Sequence, residues 1–416
     1  MSSEPVPSDK EALLPNWCVT AIRAFLVLLA VFGVGRGIVG AVHPLNPRYW
    51  DGSNDFQWSP SRVLLEGTDP YALYAELGRA NNAPLGSPFI LSQWADYPPS
   101  SLMILWPLAA LPWPVAKWIW LAINLVSIGA IIWVLSRLFR LRCEENRWTS
   151  KFVWFVLLFL ACPSVSSTLK SGQHGLFSIA TFLLAVWLCQ ERKPPGGTWL
   201  AGFVLALSWL KYSMTVPLSL FFVTRKRWPT LGIAAGLHLL ATLFAGLWSG
   251  TSPITLLKGN LEIAAGNLGL VAFDLSQTVS RVGLPGYVMI VALFAGAMLL
   301  AITRASDRDD GEILSMLSFF SFVLLPHLRY DLFMLVIPLA FAMSQTGRLR
   351  TLILVSIVQL WFLREIVETL IGQRPKESML ATISLLVVGF SVLLLYLPIA
   401  ASWIRLVRPS KANTAT

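Results

Sequence analysis

The feature that most constrains the fold is the recurrence of long apolar runs along the whole chain. A helix needs ~20 predominantly apolar residues to cross a bilayer, and runs near this length recur throughout the 416 residues. Backbone groups in lipid must be hydrogen-bonded internally, so such runs form helices. Only 13% of the residues are charged, whereas a soluble domain carries ~25%. The sequence therefore predicts an all-α, polytopic integral membrane protein.

Hydropathy predicts about 10–13 transmembrane or partial helices. The segments 198–210 and 213–223 are too short to span alone, and they indicate a broken hairpin around Lys211, which is tolerated where backbone lines a cavity. The stretch 100–111 is also short and indicates a re-entrant or partial helix. The predicted segments are 17–41, 115–137, 152–168, 175–190, 198–210, 213–223, 229–248, 285–303, 313–327, 331–345, 350–370 and 379–403.

The distribution of Lys and Arg predicts the orientation in the membrane. One alternating set of loops holds most of the basic residues, and such loops are cytoplasmic by the positive-inside bias. The same bias explains the net charge of +10, so no nucleic-acid partner is implied. We expect a plasma or inner membrane location with cytoplasmic N- and C-termini. The predicted parts are tails at 1–16 and 404–416, one transmembrane domain at 17–403, and extracytoplasmic loops at about 42–114 and 249–284.

The first of these loops is large, polar, aromatic and rich in proline. Within it, residues 59–67 have the pattern of a short amphipathic helix lying at a membrane surface. Two carboxylates stand out: Asp55 before this helix, and Asp69 in the turn that follows it. Both also fit the simpler interpretation of solvated loop residues.

Polar residues beside the helices collect on the predicted extracytoplasmic side. Ionisable groups at membrane depth usually face a cavity or a partner. Individually, Lys211 could snorkel, His174 could be a hydrogen-bonded turn residue, and Asp331 could pair with Arg329. Their convergence from separate loops instead predicts one polar site that opens outward. The residues are Asp55, Asp96, Tyr97, Lys170, Gln173, His174, Lys211, Tyr212, Asp274, Gln277, His327, Arg329, Tyr330, Asp331, Arg364 and Glu365.

Such a site suits a phosphate-linked sugar. Cationic groups at the membrane boundary hold a lipid phosphate, while a carboxylate takes the proton of an attacking hydroxyl. The extracytoplasmic loops contain no Asp-x-Asp metal clamp, the chain has no glycine-rich phosphate loop, and its four cysteines lack metal-ligand spacing. We therefore expect neither a cofactor nor a metal.

The ordered set of motifs between about 51 and 339 resembles glycosyltransferase family 87. The resemblance implies a C-superfamily fold and an inverting enzyme of the cell envelope. Its donor would be a polyprenyl-phosphate sugar, usually mannose and in some relatives arabinofuranose, and its acceptor an extracytoplasmic glycan or glycolipid hydroxyl. The motifs are DFQWSPSRVLLEGTDPYALY, DYPPSSLMILWPLAAL, SGQHGLFSIATFLLAVWL, AGFVLALSWLKYSMTVPLSLFF, LSQTVS and LLPHLRYDLFMLVIPL.

Residue by residue, the resemblance implies that Asp55 is the catalytic base. It also implies that Lys211 and the cluster from His327 to Asp331 belong to the site, with Lys211, Arg329 and His327 binding the donor phosphate. The sequence departs from the family at Gln173-His174, where Gln-Asn is more usual. The acceptor pocket of the family, and with it the identity of the acceptor, is therefore not transferred to this chain. The expected donor and acceptor pocket consists of Tyr97, Gln173, His174, Gln277, Tyr330 and Asp331.

Two other functions fit the same composition. A transporter or lipid flippase could use the polar cluster as an outward gate, and it would show ionisable residues near the bilayer midplane and related halves. A non-catalytic scaffold for envelope assembly would leave Asp55 and Lys211 without a required role.

Overall fold

The computed structural model describes residues 15–42, 56–79, 95–141, 150–191, 196–267, 309–324, 329–346, 350–351 and 353–362. Within these ranges every regular element is helical, which confirms the predicted all-α class. The helices predicted at 285–303 and 379–403 lie outside the described residues. The described helices are α1 (Asn16–Val42), α2 (Trp58–Leu65), α3 (Pro70–Arg79), α4 (Pro99–Ile104), α5 (Trp106–Ala109), α6 (Trp113–Leu138), α7 (Lys151–Ala161), α8 (Pro163–Ser171), α9 (Gly175–Glu191), α10 (Gly196–Ser208), α11 (Tyr212–Leu218), α12 (Leu220–Thr224), α13 (Trp228–Ser249), α14 (Pro253–Asn267), α15 (Asp310–Leu324), α16 (Val336–Ser344) and a last helix, Ile353–Phe362.

Four helical runs in the described part of the chain are long and apolar enough to cross a membrane. They are Trp17–Val42, Trp113–Leu138, Gly196–Leu218 and Trp228–Ser249. The pair α7 and α8 counts as a fifth if the two helices form one span. The membrane class predicted from hydropathy is confirmed.

The single helix predicted at 152–168 is wrong in one respect, because the chain bends there by 49°. The break falls between Ala161 and Pro163, where Cys162 takes an extended conformation. Proline lacks a backbone N–H and clashes with the preceding turn, so it begins a new helix rather than continuing the old one. Because of the bend, α8 runs in a different direction from α7. Lys170 of α8 packs against Gly40, near the end of α1.

Contacts with α9 show that the chain reverses direction at Lys211. The Lys211 backbone N–H donates to Ser178 Oγ near the first turn of α9, at 3.1 Å. Further along the chain, Arg227 donates to the Cys189 carbonyl in the last turn of α9, at 3.3 Å. By length and hydropathy alone, Gly196–Leu218 would be one span. The contacts instead show that α10 runs antiparallel to α9 and that α11 and α12 then return alongside α9. The broken hairpin predicted around Lys211 is confirmed.

The two ends of α9 mark two ends of the helical bundle. At the end where α9 finishes, Asp310 accepts hydrogen bonds from Gln190 and Arg225. His174 comes directly before the first residue of α9, which is 17 residues long, so it lies about 24 Å away along the helix axis. The basic segment 225–227 and the start of α15 therefore share one end, and the motif around His174 lies at the other.

A layer of short helices covers the His174 end. The α3 residue Tyr71 packs directly against Gly259 of α14, where a Cβ on the glycine would lie 2.8 Å from the Tyr71 Cβ. Trp248 Nε1, at the end of α13, donates to the Leu65 carbonyl of α2 at 3.0 Å. The described parts of the two segments predicted at 42–114 and 249–284 are therefore in contact with each other.

The amphipathic helix predicted at 59–67 is present as α2 and is packed into the protein, while its position at a membrane surface stays a prediction. Six of its eight residues are buried, and two of these, Ser59 and Ser61, are small and polar. Small hydroxyl side chains allow close packing, and α2 is packed against α4 and α5. Only Arg62 and Leu65 remain partly exposed, and Arg62 forms an ion pair with Glu66 at 2.8 Å.

Candidate functional site

A buried ion pair joins the tip of the α10–α11 hairpin to a distant part of the chain. Lys211 Nζ contacts Asp331 Oδ1, and the two side chains are only 7% and 3% exposed. The Lys211 ammonium also lies over the ring of Tyr330, 4.5 Å from its centroid. Tyr330 and Asp331 belong to a 3₁₀ segment, Arg329–Leu335, that leads into α16. Lys211 is therefore an ion-paired, buried cation and does not snorkel.

The 3₁₀ segment is also held to α8 and α9. Thr168 Oγ1 of α8 donates to the Tyr330 carbonyl at 2.9 Å. Gly175, the first residue of α9, lies so close to Phe333 that a Cβ would stand 2.7 Å from the ring. A glycine is required at this position because a side chain would push the segment that carries Asp331 away from α9. This close approach explains the second glycine of the SGQHG motif.

His174, within that motif, is fully buried and hydrogen-bonded. Its Nε2 lies 2.8 Å from the Phe56 carbonyl oxygen, and because a carbonyl only accepts, Nε2 carries the proton. Burial first, and the nearby Lys211 cation second, lower the pKa of His174 from 6.5 to about 3. The ring is therefore a neutral hydrogen-bond donor at physiological pH. The hydrogen-bonded turn residue considered from sequence is what the structure shows.

Aromatic rings enclose the same histidine. Tyr97 lies 4.8 Å from it and Trp120 5.2 Å from it, both measured between ring centroids. Trp120 is itself fixed, because its Nε1 donates to the carbonyl of Gly172 at 2.6 Å. Gly172 ends α8 in the left-handed region, with φ of 61°, where glycine is favoured. The neighbouring Gln173 is also buried.

A half-buried carboxylate, Asp96, borders this cluster. Gln57 Nε2 donates to Asp96 Oδ1 at 2.8 Å, and the Tyr71 hydroxyl donates to the Tyr97 carbonyl at 2.7 Å. Burial, with a smaller effect of Asp96, raises the pKa of Tyr97 well above 10.0. The Tyr97 hydroxyl therefore keeps its proton.

The second loop carboxylate singled out from sequence, Asp69, has a structural role. Its Oδ1 accepts from the backbone N–H of Tyr71 at 2.8 Å and from that of Ala72 at 3.2 Å. These bonds satisfy two of the free donors at the start of α3, as an N-terminal cap does. Asp69 therefore caps α3, and the simpler interpretation of a solvated loop residue does not describe it.

The structure thus brings together six of the residues predicted for the site, namely Tyr97, Gln173, His174, Lys211, Tyr330 and Asp331. The backbone of Arg329 begins the 3₁₀ segment next to them. The predicted residues Asp55, Gln277 and His327 lie outside the described residues. Sequence reasoning missed Phe56, Gln57 and Trp120. In the first loop, two large aromatic residues, Phe56 and Trp58, flank Gln57, and this pattern could have indicated that the segment is buried.

Within the described part of the chain, no three His, Cys, Asp or Glu side chains are grouped so that they could hold a metal ion. The charged and polar groups that meet at this end include Asp96, His174, Lys211 and Asp331, together with Tyr97, Tyr212 and Tyr330. Their chemistry is that of hydrogen bonding to hydroxyls and compensation of negative charge.

The fold and the site together define a polytopic membrane protein with a polar, aromatic-lined cluster at one end of its helices. The chain matches glycosyltransferase family 87 over residues 94–326, more than half its length, and it belongs to that family. It is therefore a membrane glycosyltransferase. The matched range includes Asp96, the SGQHG motif and the Lys211 hairpin; the loop with Asp55 and the segment 327–339 lie outside it. No curated protein and no solved structure matches the chain.

Proposed function

We propose that the protein is an inverting glycosyltransferase that moves a sugar, mannose in the first instance, from a polyprenyl-phosphate donor to a hydroxyl of an extracytoplasmic glycan or glycolipid. The observation that carries the proposal is the convergence of Asp96–Tyr97, Gln173–His174, Lys211 and Tyr330–Asp331 at one end of the bundle in a chain of this family. The basic segment 225–227 lies at the opposite end, which supports an extracytoplasmic position for the site.

In the proposed reaction, Asp55 acts as the general base. The acceptor hydroxyl attacks the anomeric carbon from the face opposite the phosphate, the bond from that carbon to the phosphate oxygen breaks, and Asp55 takes the hydroxyl proton. The products are the glycoside with inverted configuration and the polyprenyl phosphate. Asp55 directly precedes Phe56, which is buried and hydrogen-bonded to His174, and this adjacency in the chain supports the assignment.

Cations near the leaving phosphate lower the barrier by compensating its developing charge. We assign this role to Arg329 and His327, with Lys211 contributing from its pair with Asp331. Because Asp331 already neutralises much of the Lys211 charge, Lys211 acts partly by holding the segment that carries Arg329. The sugar pocket would consist of Tyr97, Gln173, His174, Gln277, Tyr330 and Asp331.

The experiment that tests this function is transfer by the purified protein. It would be incubated with polyprenyl-phosphate mannose or polyprenyl-phosphate arabinofuranose and a mixed glycolipid extract, and the products would be read by mass. We expect an acceptor that gains one hexose in the mannose reaction. A folded protein that transfers neither sugar would contradict the proposal.

A further inference from the structure

The entry into α2 breaks a local rule of backbone conformation. Phe56 and Gln57 have φ of 41° and 63°, two consecutive residues with side chains in the left-handed region. Residues other than glycine avoid this region, and they persist there only where the surroundings over-determine the conformation. The N-cap Gln57 makes no side-chain capping hydrogen bond to α2, so helix capping does not account for the conformation.

Four contacts from three separate parts of the chain hold these two residues. His174 Nε2 donates to the Phe56 carbonyl at 2.8 Å. The Phe56 ring stacks on Trp120 and on Trp113, with centroid distances of 5.1 and 5.4 Å. Gln57 Nε2 donates to Asp96 at 2.8 Å. We call these contacts, made by His174, Trp120, Trp113 and Asp96, the Phe56 clamp.

The clamp lies one peptide bond from Asp55. Consecutive Cα atoms are about 3.8 Å apart, so the dihedral angles of Phe56 set the direction from which the chain arrives. An ordinary helix entry through a Ser or Asp in the extended region would send the preceding chain elsewhere. The unusual conformation and the contacts that enforce it are therefore directly adjacent in the chain to the residue to which the proposed function assigns the base.

We propose that the Phe56 clamp is a positioning device for transfer, in which His174 holds the Phe56 carbonyl and thereby fixes the chain direction at Asp55. This inference rests on the proposed function. Although His174 belongs to the pocket proposed above, it is fully buried and its Nε2 is engaged by the Phe56 carbonyl. It is therefore a positioning residue that acts through the Phe56 backbone rather than by touching the sugar or the reacting atoms. Small misplacements of a catalytic group reduce rates strongly without abolishing substrate binding.

The first test compares two substitutions at position 174. His174→Phe keeps an aromatic ring beside Tyr97 and Trp120 but removes the donor, whereas His174→Gln places an amide N–H near the position of Nε2. With farnesyl-phosphate mannose as donor and octyl mannoside as acceptor, we expect His174→Phe to lower kcat by about 10- to 100-fold with little change in the donor KM. His174→Gln should recover most of kcat.

The second test asks whether the loss acts through Asp55. If it does, His174→Phe should reduce transfer no further in an Asp55→Asn background, because the group being positioned is already absent. A purely structural role would multiply the two losses. Multiplied losses, or a donor KM that rises while kcat is unchanged, would overturn the clamp.

A matched control and a second variant keep the result interpretable. His238, half-buried in α13, makes two hydrogen bonds, to Ser100 Oγ and the Ala206 carbonyl, both at 2.8 Å. His238→Phe should reduce thermal stability and leave kcat unchanged; a loss equal to that of His174→Phe would overturn the proposal. If His174→Phe does not insert, Gln57→Met removes the other hydrogen bond of the clamp and should lower kcat in the same way.

The outcomes separate this inference from the function on which it rests. Absence of transfer by the unmodified protein would overturn the proposed function and this inference with it. Full transfer by Asp55→Asn would overturn the assignment of the base. Loss of transfer in Asp55→Asn together with full transfer in His174→Phe and Gln57→Met would overturn the clamp alone.

Discussion

Replacing Lys211 with methionine tests what the buried ion pair contributes to stability. Lys211 and Asp331 are 7% and 3% exposed and lie in contact, so Lys211→Met leaves the Asp331 carboxylate buried without its main cation. Breaking a buried pair by removing one partner lowers the free energy of unfolding by about 3–5 kcal/mol. The same change at an exposed pair, Lys258 and Glu262, which are 76% and 68% exposed, should lower it by less than about 1 kcal/mol.

Replacing both partners provides the internal comparison. Lys211→Met combined with Asp331→Leu removes the desolvation penalty of both charges, so its free energy of unfolding should return to within about 1 kcal/mol of the unmodified protein, or exceed it. The measurement is unfolding in mixed detergent micelles followed by tryptophan fluorescence. If Lys211→Met were as stable as the Lys258→Met control, the pair would contribute nothing and the reasoning would be refuted.

The double variant also separates stability from chemistry. If Lys211 only joins the α10–α11 hairpin to the Arg329–Leu335 segment, an apolar pair of similar volume should restore both folding and transfer. If its charge also assists the leaving phosphate, the double variant should fold and remain slow. We expect the second result, because the Lys211 ammonium lies at the polar end of the bundle with the rest of the site.

Three further predictions concern orientation, the donor and pH. Cysteine labelling should find Gly86→Cys outside and Arg142→Cys in the cytoplasm; labelling of both from one side would contradict the assignment of the site to the extracytoplasmic face. Arg329→Ala should weaken binding of farnesyl-phosphate mannose by about 2–4 kcal/mol, with partial rescue by Arg329→Lys, and unchanged binding would mean that the phosphate lies elsewhere. Because the pKa of His174 falls to about 3 on folding, the unfolded chain binds the extra proton below pH ~6.5. The stability advantage of the unmodified protein over His174→Gln should therefore shrink by about 1.4 kcal/mol per pH unit between pH ~6.5 and ~3. A pH-independent difference would show that His174 is not buried in its neutral form.

The spans and the reversal at Lys211 could be predicted from the sequence because each depends on local composition. Apolar runs of bilayer length fix the helices, and two runs too short to span on either side of a lysine indicate a hairpin. The bend at Pro163 was equally local, and it was missed because hydropathy is continuous through Cys162. Neither the spacing of apolar residues nor the mean hydropathy changes when one residue, here Pro163, lacks a backbone N–H donor.

The partners within the site could not be predicted in the same way. Lys211 and Asp331 are 120 residues apart, and the sequence offered Arg329 as a nearer partner for Asp331. The clamp joins Phe56 to His174, 118 residues away, through a backbone carbonyl that no side-chain pattern marks. The burial of α2 could not be predicted either, because it results from packing against α4 and α5, and no local sequence pattern indicates these tertiary contacts.

The central claim, that the first loop supplies the base of a glycosyl transfer, is tested most directly by comparing Asp55→Asn with Asp69→Asn in one transfer assay. Asparagine at 55 keeps the size but cannot take the proton, so transfer should fall by ~10²–10⁴ while donor binding is retained. Asparagine at 69 can still accept the capping hydrogen bonds now made to Oδ1, so transfer should stay near that of the unmodified protein. Full transfer by Asp55→Asn at matched expression would contradict the account, and the base would have to be sought at another carboxylate such as Asp96 or Asp331.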